Sequence, residues 1–394
     1  MLPLTSFSNR SFSAASAPFV TAKARYEEVG ELAAQILNQA CPKLLSHIRT
    51  LLNDRSDEIS MLFDPIMVEE RAPADLSKQL PKWTERAKNS NGSPWEEYLD
   101  SVRQSGLCLL TNIKNQPKLL AIRTFVLFSI FHLLRYLVNQ ERFHARQKDL
   151  KARRIPFLAV YDPRRNTALV QSSHKAFLQI GQSLSRFYAE SFAQRLKHYQ
   201  FGLPLLLKIK SAPQYTEKDK PTKSDLKKAL QNDEVWKEAQ VNAKADLDQG
   251  RSEQDGRLRF GQAIEDMVAT ASGTSPLKYI RGIATKAGIL YPLSGRSKPY
   301  FRFSQDVTAM LVQSTVHAGE CVDNDDFLDR LRGSFDVITG ANSSDYDFCC
   351  ENIVGLGTDE NAVSRNGEAF IEQVCEMGYG RVLADGIFQV EMGS

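Results

Sequence analysis

A basic stretch without acids is the clearest chemical signal in this sequence. No Asp or Glu occurs between Asp266 and Asp306, and over those 39 residues the chain carries Lys278, Arg281, Lys286, Arg296, Lys298 and Arg302. The chain as a whole is nearly balanced, with 50 Lys and Arg against 47 Asp and Glu, so the gap is a local property. A run of one positive sign is suited to holding phosphate. Its cations displace the counterions condensed on a nucleic acid and position the backbone without reading its bases. These six residues are the expected contacts to DNA.

Catalytic constellations are missing by comparison. The chain has no G-x-x-x-x-G-K-[ST] phosphate loop and no G-x-S-x-G nucleophile elbow. His174-Lys175 lacks the spacing residue and the further acid of phospholipase-D-type nucleases, and reads as a pair at a helix start. Asp162, after the apolar run 157–161, is the one acid placed for a metal-dependent nuclease, but no acid–x–Lys follows it on 167–171. The six histidines show no paired i, i+4 ligand spacing, and His317 and Cys321 stand alone. No catalytic residue, metal or other cofactor is expected. A divergent metal-dependent nuclease using Asp162 is the catalytic alternative.

The elements that would position the basic residues are a helix, a second helix and a hairpin. Phe260–Ala271 has helical spacing, and Ser272-Gly273-Thr274 is a turn. Pro276 suits a first helical position, and Leu277, Ile280, Ile283, Ala284 and Ala287 form one apolar stripe. Gly288 ends that helix with a residue that tolerates positive φ. Residues 289–292 and 300–303 read as wing strands around a Ser294–Ser297 tip. A second unit of similar order follows, closed by a hairpin around Ala384-Asp385-Gly386. Its charge is opposite: residues 320–360 hold eleven acids against Arg330 and Arg332, a net of −9. Phosphate would be repelled there, so this unit is expected to hold protein partners.

The remaining organisation is expected to be mainly α. Residues 1–25 read as a flexible or docking tail, or as a transit peptide, since they are rich in Ser, Ala and Phe and hold no acid. Residues 26–205 read as a mainly helical domain with a short strand pair, 157–161 against 167–171. Residues 206–256 read as a polar linker with short helices, 257–304 as a basic winged-helix-like unit and 305–394 as an acidic one. A second basic region, Arg142–Arg165, carries a net of +6 and offers another phosphate contact or a solvated helix end. Thr124–Leu134 is apolar for only 11 residues, where a span needs about 20. It is expected to be a buried core helix, with no membrane contact. The six cysteines form no C-x-x-C pair and read as reduced cytosolic thiols.

The run GILYPLSGRSKPYFRFSQDVTAMLVQSTVHAGECVDNDDFLDRLRGSFDVITG, followed by NGEAFIEQVCEMGYGRVLADGIFQV, resembles the carboxyl-terminal region of accessory subunits from prokaryotic anti-phage defence and DNA-restriction systems. The resemblance covers residues of roughly 260–391 and supplies no active-site residue. It implies a cytoplasmic subunit of a multiprotein assembly, working beside a motor ATPase, nuclease or methyltransferase. Together these readings give a non-catalytic, DNA-associating accessory subunit. The alternative is a protein–protein scaffold whose basic face docks an acidic partner.

Overall fold

The computed structural model describes residues 33, 36–54, 94–144, 154–163, 166–196, 276–292, 298–342, 344–383 and 388–393. The expectations for residues 1–25 and 206–256, the helix at 260–271, Arg296 and the two hairpin tips lie outside them. The described chain is mainly helical. Its elements are α1 (Pro42–Asn53), α2 (Pro94–Ile113), α3 (Lys118–Val138), α4 (Gln140–His144), β1 (Phe157–Leu158), α5 (Thr167–Leu196), α6 (Pro276–Lys286), β2 (Leu290–Tyr291) and β3 (Tyr300–Phe301). Then come α7 (Gln305–Gln313), β4 (Cys321–Asp323), α8 (Asn324–Phe335), β5 (Val337–Ile338), α9 (Asp345–Asn352), α10 (Glu360–Glu376), β6 (Gly380–Val382) and β7 (Phe388–Glu391).

Two compact units divide these residues. One takes the described residues up to Tyr136, those from 154 to Phe177 and those from Ile283 onward; the other takes 137–144, 178–196 and 276–282. In the smaller unit, Glu141 of α4 accepts from Ser183 and from the Arg186 guanidinium, at 2.7 to 2.9 Å. On α5, a Cβ at Gly181 would come within 3.0 Å of the Leu277 side chain, so the glycine allows close approach there.

The larger unit is organised around aromatic rings on α3. Phe125, Phe128 and Phe131 are fully buried. The Phe131 ring lies 5.1 Å from Phe157, 5.5 Å from Phe335 and 5.7 Å from Phe303, so it joins β1, α8 and the strand region after β3. α3 is the one described helix long and apolar enough to cross a bilayer, and 67% of its apolar window is buried in protein. The expected core helix is thus present, and it is longer than the apolar run alone implies.

The strand pair expected at 157–161 and 167–171 is not formed. Thr167–Gln171 opens α5 instead, and β1 pairs in parallel with β5, Phe157 opposite Val337 and Leu158 opposite Ile338. The apolar residues of 167–171, Ala168, Leu169 and Val170, fit a helical face as well as a strand, and the α5 pattern that continues from them decides the outcome. Ser172 and Ser173 are inside the helix. Ser172 Oγ donates to the Ala168 carbonyl at 3.0 Å.

A second sheet has the order β4–β7–β6, antiparallel throughout. Asp323 caps α8 by accepting from the Asp326 N–H at 3.0 Å, and Asp359 caps α10 through Ala362 at 2.7 Å. α10 is packed unusually close to the loop after β5. A Cβ at Gly367 would meet the Ala341 backbone at 2.4 Å, and one at Gly340 would meet the Val363 carbonyl at 2.0 Å. Beside this contact Asn366, 0% exposed, donates to the Ala159 and Thr339 carbonyls and accepts from the Tyr161 N–H. One side chain therefore satisfies backbone groups beyond the ends of both β1 and β5.

His132 gives the larger unit a pH dependence. It is 1% exposed, between Phe128 and Phe335, with ring centroids 4.4 and 4.9 Å away. Its Nε2 meets Ser105 Oγ at 3.1 Å, while Nδ1 has no hydrogen-bond partner among the described residues. Burial, and then the nearby Arg135 charge, hold its pKa well below the ordinary value. The unfolded chain therefore binds a proton near pH 6.5 that the folded chain refuses, and stability falls as pH drops below that point. Urea unfolding between pH 7 and pH 5 is expected to lose up to about 1.4 kcal/mol per pH unit more in the native chain than in His132→Gln. Equal slopes would remove this account.

Candidate nucleic-acid interface

The sequence of the β2–β3 hairpin and the strand continuing from it alternates in burial. Pro299, Phe301 and Phe303 are buried, whereas Lys298 is exposed and Tyr300 and Arg302 are half-exposed. Extended backbone puts alternate side chains on opposite faces, so Lys298, Tyr300 and Arg302 share the outer face. Tyr291 stands opposite Tyr300 in the antiparallel register and joins the same face. The Arg302 guanidinium lies over the Tyr291 ring, 5.3 Å from its centroid.

Several contacts hold this strand from behind. The Phe301 N–H donates to Ser173 Oγ at 2.9 Å, and that hydroxyl donates to the Leu158 carbonyl at 2.8 Å. The Phe301 carbonyl accepts from the Val160 N–H at 2.9 Å, which links β3 to the end of β1. His174 Nδ1 donates to the Pro299 carbonyl at 2.8 Å. Ser172 Oγ also accepts from the Gly357 N–H, and Lys175 donates to the Gly355 carbonyl. The tetrad Ser172-Ser173-His174-Lys175 thus fastens three separate pieces of chain to α5: β1, the strand at 299–301 and the loop at 355–357. His174 and Lys175 lie inside α5 rather than at the helix start expected from the sequence, because the helix begins at Thr167.

α6 and its exit supply the other basic residues. Lys278 and Lys286 are exposed and Arg281 is half-exposed on α6. Lys286 lies in its last turn, where a cation complements the helix dipole. Gly288, with φ +74°, turns the chain out of α6, and the Ile289 N–H returns to the Ala284 carbonyl at 2.8 Å. Lys278 and Arg281 fall in the smaller unit, and Lys286, Lys298 and Arg302 in the larger. The geometry brings Lys298 and Arg302 onto one strand face. Arg296 lies outside the described residues.

In the second basic region, Arg154 has a different role. Arg154 is drawn inward, where its Nε meets the Asp336 carboxylate and its guanidinium donates to the Arg332 carbonyl at 2.7 Å. Asp336 is 1% exposed and also accepts from Arg135 Nε at 2.7 Å. It has φ 56° and caps the end of α8. Asp162 follows β1 at the turn into α5, and no group of three metal-ligating side chains occurs among the described residues.

The acidic tract 320–360 divides into structural and solvent-facing groups. Asp323 and Asp359 are caps, and Asp336 is in the buried ion pair. Asp345 accepts from the Gly340 N–H at 2.8 Å, and burial raises its carboxyl pKa. Glu320 pairs with Arg330, and Asp329 with Arg332, at 2.9 and 2.6 Å. Asp325, Asp326, Asp347, Glu351 and Glu360 are exposed in the tract, and further exposed acids follow along α10. Glu368, Glu372 and Glu376 repeat every four residues on its exposed side. The sequence reading missed this stripe because it counted charge only to Glu360. Of the cysteines, Cys41 and Cys108 are buried, and burial pushes both thiols up to about 12; Cys321 and Cys350 are exposed.

No family model matches this chain, and no curated protein or solved structure matches it.

Proposed function

We propose that this protein is a non-catalytic, DNA-associating accessory subunit built on two winged-helix modules. The reading is supported by element order. Among the described residues, a helix–strand–helix–helix–strand–strand order recurs as α3–β1–α5–α6–β2–β3 and α7–β4–α8–α10–β6–β7 once α4 is left out of the first run and β5 and α9 out of the second. In the second run the first strand pairs with the last, which pairs with the middle one. In the first run the Val160–Phe301 hydrogen bond and the β2–β3 ladder follow the same scheme. On this reading the first module reaches back to α3, well before residue 257. α6 and α10 are then equivalent helices with opposite exposed charge, so phosphate contact belongs to the first module and protein partners to the second. The resemblance to defence and restriction accessory subunits supports a cytoplasmic, prokaryotic assembly with a motor ATPase or nuclease as partner.

The observation that carries the proposal is the outward alternation of Lys298 and Arg302 on the strand that follows the acid-free helix. Fluorescence anisotropy with labelled DNA across a salt series tests it. Log affinity should fall linearly with log salt. Lys286→Glu combined with Lys298→Glu should remove most binding and leave the unfolding midpoint unchanged. Each lost phosphate contact should flatten the salt slope by about 0.9. Unaltered binding in that variant would leave the scaffold reading in possession of this surface.

A further inference from the structure

The outer face of β2–β3 carries more than charge. Lys298, Tyr300 and Arg302 alternate along one edge of it, and Tyr291 lies directly across from Tyr300. The neighbours of Tyr300 in this row are one i±2 step away, about 7 Å on either side. Arg302 covers the Tyr291 ring. Among the described residues nothing stacks on Tyr300 or hydrogen-bonds to its hydroxyl, and the ring is half-exposed. An aromatic face with a cation on each side is the arrangement that holds an unpaired base and the phosphates next to it.

We infer that this face binds single-stranded nucleic acid, with one base stacked on Tyr300 and the adjoining phosphates on Lys298 and Arg302. The inference rests on the reading of this surface as the nucleic-acid interface and narrows its ligand. Bases in a duplex are already stacked on one another and offer the ring no free face, so a purely duplex-binding wing has no use for Tyr300. Arg302 is held against Tyr291, so its guanidinium is pre-positioned and loses little freedom on meeting a phosphate. Tyr300 also stands opposite Tyr291 in the ladder, so the competing account is a purely structural one, support of the hairpin. That structural role alone would make both kinds of ligand suffer equally when Tyr300 is lost.

The full chain is titrated against a labelled 15-nucleotide oligo-dT and against a labelled blunt 15-base-pair duplex, at one salt concentration. Tyr300→Ala is expected to weaken oligo-dT binding by about 5- to 150-fold, the loss of one stacked base, while duplex binding stays within about twofold. Tyr300→Phe is expected to restore oligo-dT binding, since the ring and not the hydroxyl does the stacking. Equal weakening of both ligands overturns the inference in favour of a structural tyrosine. No weakening of either overturns it as well. In both cases the Lys286 and Lys298 charge reversals still report separately on whether the surface binds DNA at all.

Discussion

Asp336→Ala is expected to lower the unfolding free energy by about 3–5 kcal/mol, because it strands two buried or partly buried guanidinium groups. Asp336 has 2% side-chain exposure, Arg135 5% and Arg154 24%, so little water can replace the lost carboxylate at Arg135. The two arginines also reach the Arg332 and Gly333 carbonyls, at 2.7 to 3.2 Å. The carboxylate therefore sits among the last backbone acceptors of α8, and three stretches of chain meet there. The residue also has positive φ, which gives the test a second arm. If backbone strain dominated, Asp336→Gly would be neutral or stabilising, since glycine adopts this conformation freely. The ion pair predicts that Asp336→Gly and Asp336→Ala are both strongly destabilising. Urea unfolding followed by circular dichroism at neutral pH decides it; a loss below about 1 kcal/mol in both variants would contradict the buried-pair account.

The second large effect is expected at Phe131. Truncation to alanine removes the ring that touches Phe157, Phe303 and Phe335, and should cost about 3–5 kcal/mol, the usual range for a buried aromatic. The neighbours belong to separate elements, α8 among them, so they cannot all move to fill the space. Leu119, on the same helix but 59% exposed, is the control, and Leu119→Ala should change stability by no more than about 0.5 kcal/mol. Similar losses at both positions would mean that α3 is not the organising helix of the larger unit.

How far the sequence was readable depended on whether a signal was local. Pro276, the apolar stripe after it and Gly288 fixed α6 at Pro276–Lys286 with its turn, because each acts within a few residues. The hairpin pairs 290–291 with 300–301, within the expected strands. Long-range choices were not readable. Phe157-Leu158 was a clear strand, but its partner lies at Val337-Ile338 rather than at 167–171, and no periodicity encodes a partner so distant. The same holds for charge. Arg154 and Asp336 each counted toward a charged surface in the sequence, and they neutralise each other inside the protein. In the candidate interface, the acid-free tract was visible from composition. The separation of Lys298, Tyr300 and Arg302 from Pro299, Phe301 and Phe303 needed the strand to be placed against its support.

The pairing of β1 with β5 also constrains the order of events during synthesis. Phe157 emerges from the ribosome long before Val337, and loop closure over such a separation is slow compared with helix formation. Until that late strand arrives, the hydrogen-bonding edge of β1 has no mate in the sheet. Of the ring neighbours of Phe131, Phe157 emerges early, whereas Phe303 and Phe335 emerge late. Chaperone dependence in the cell, and poor recovery of fragments that stop before β5, would be the natural cost of this wiring.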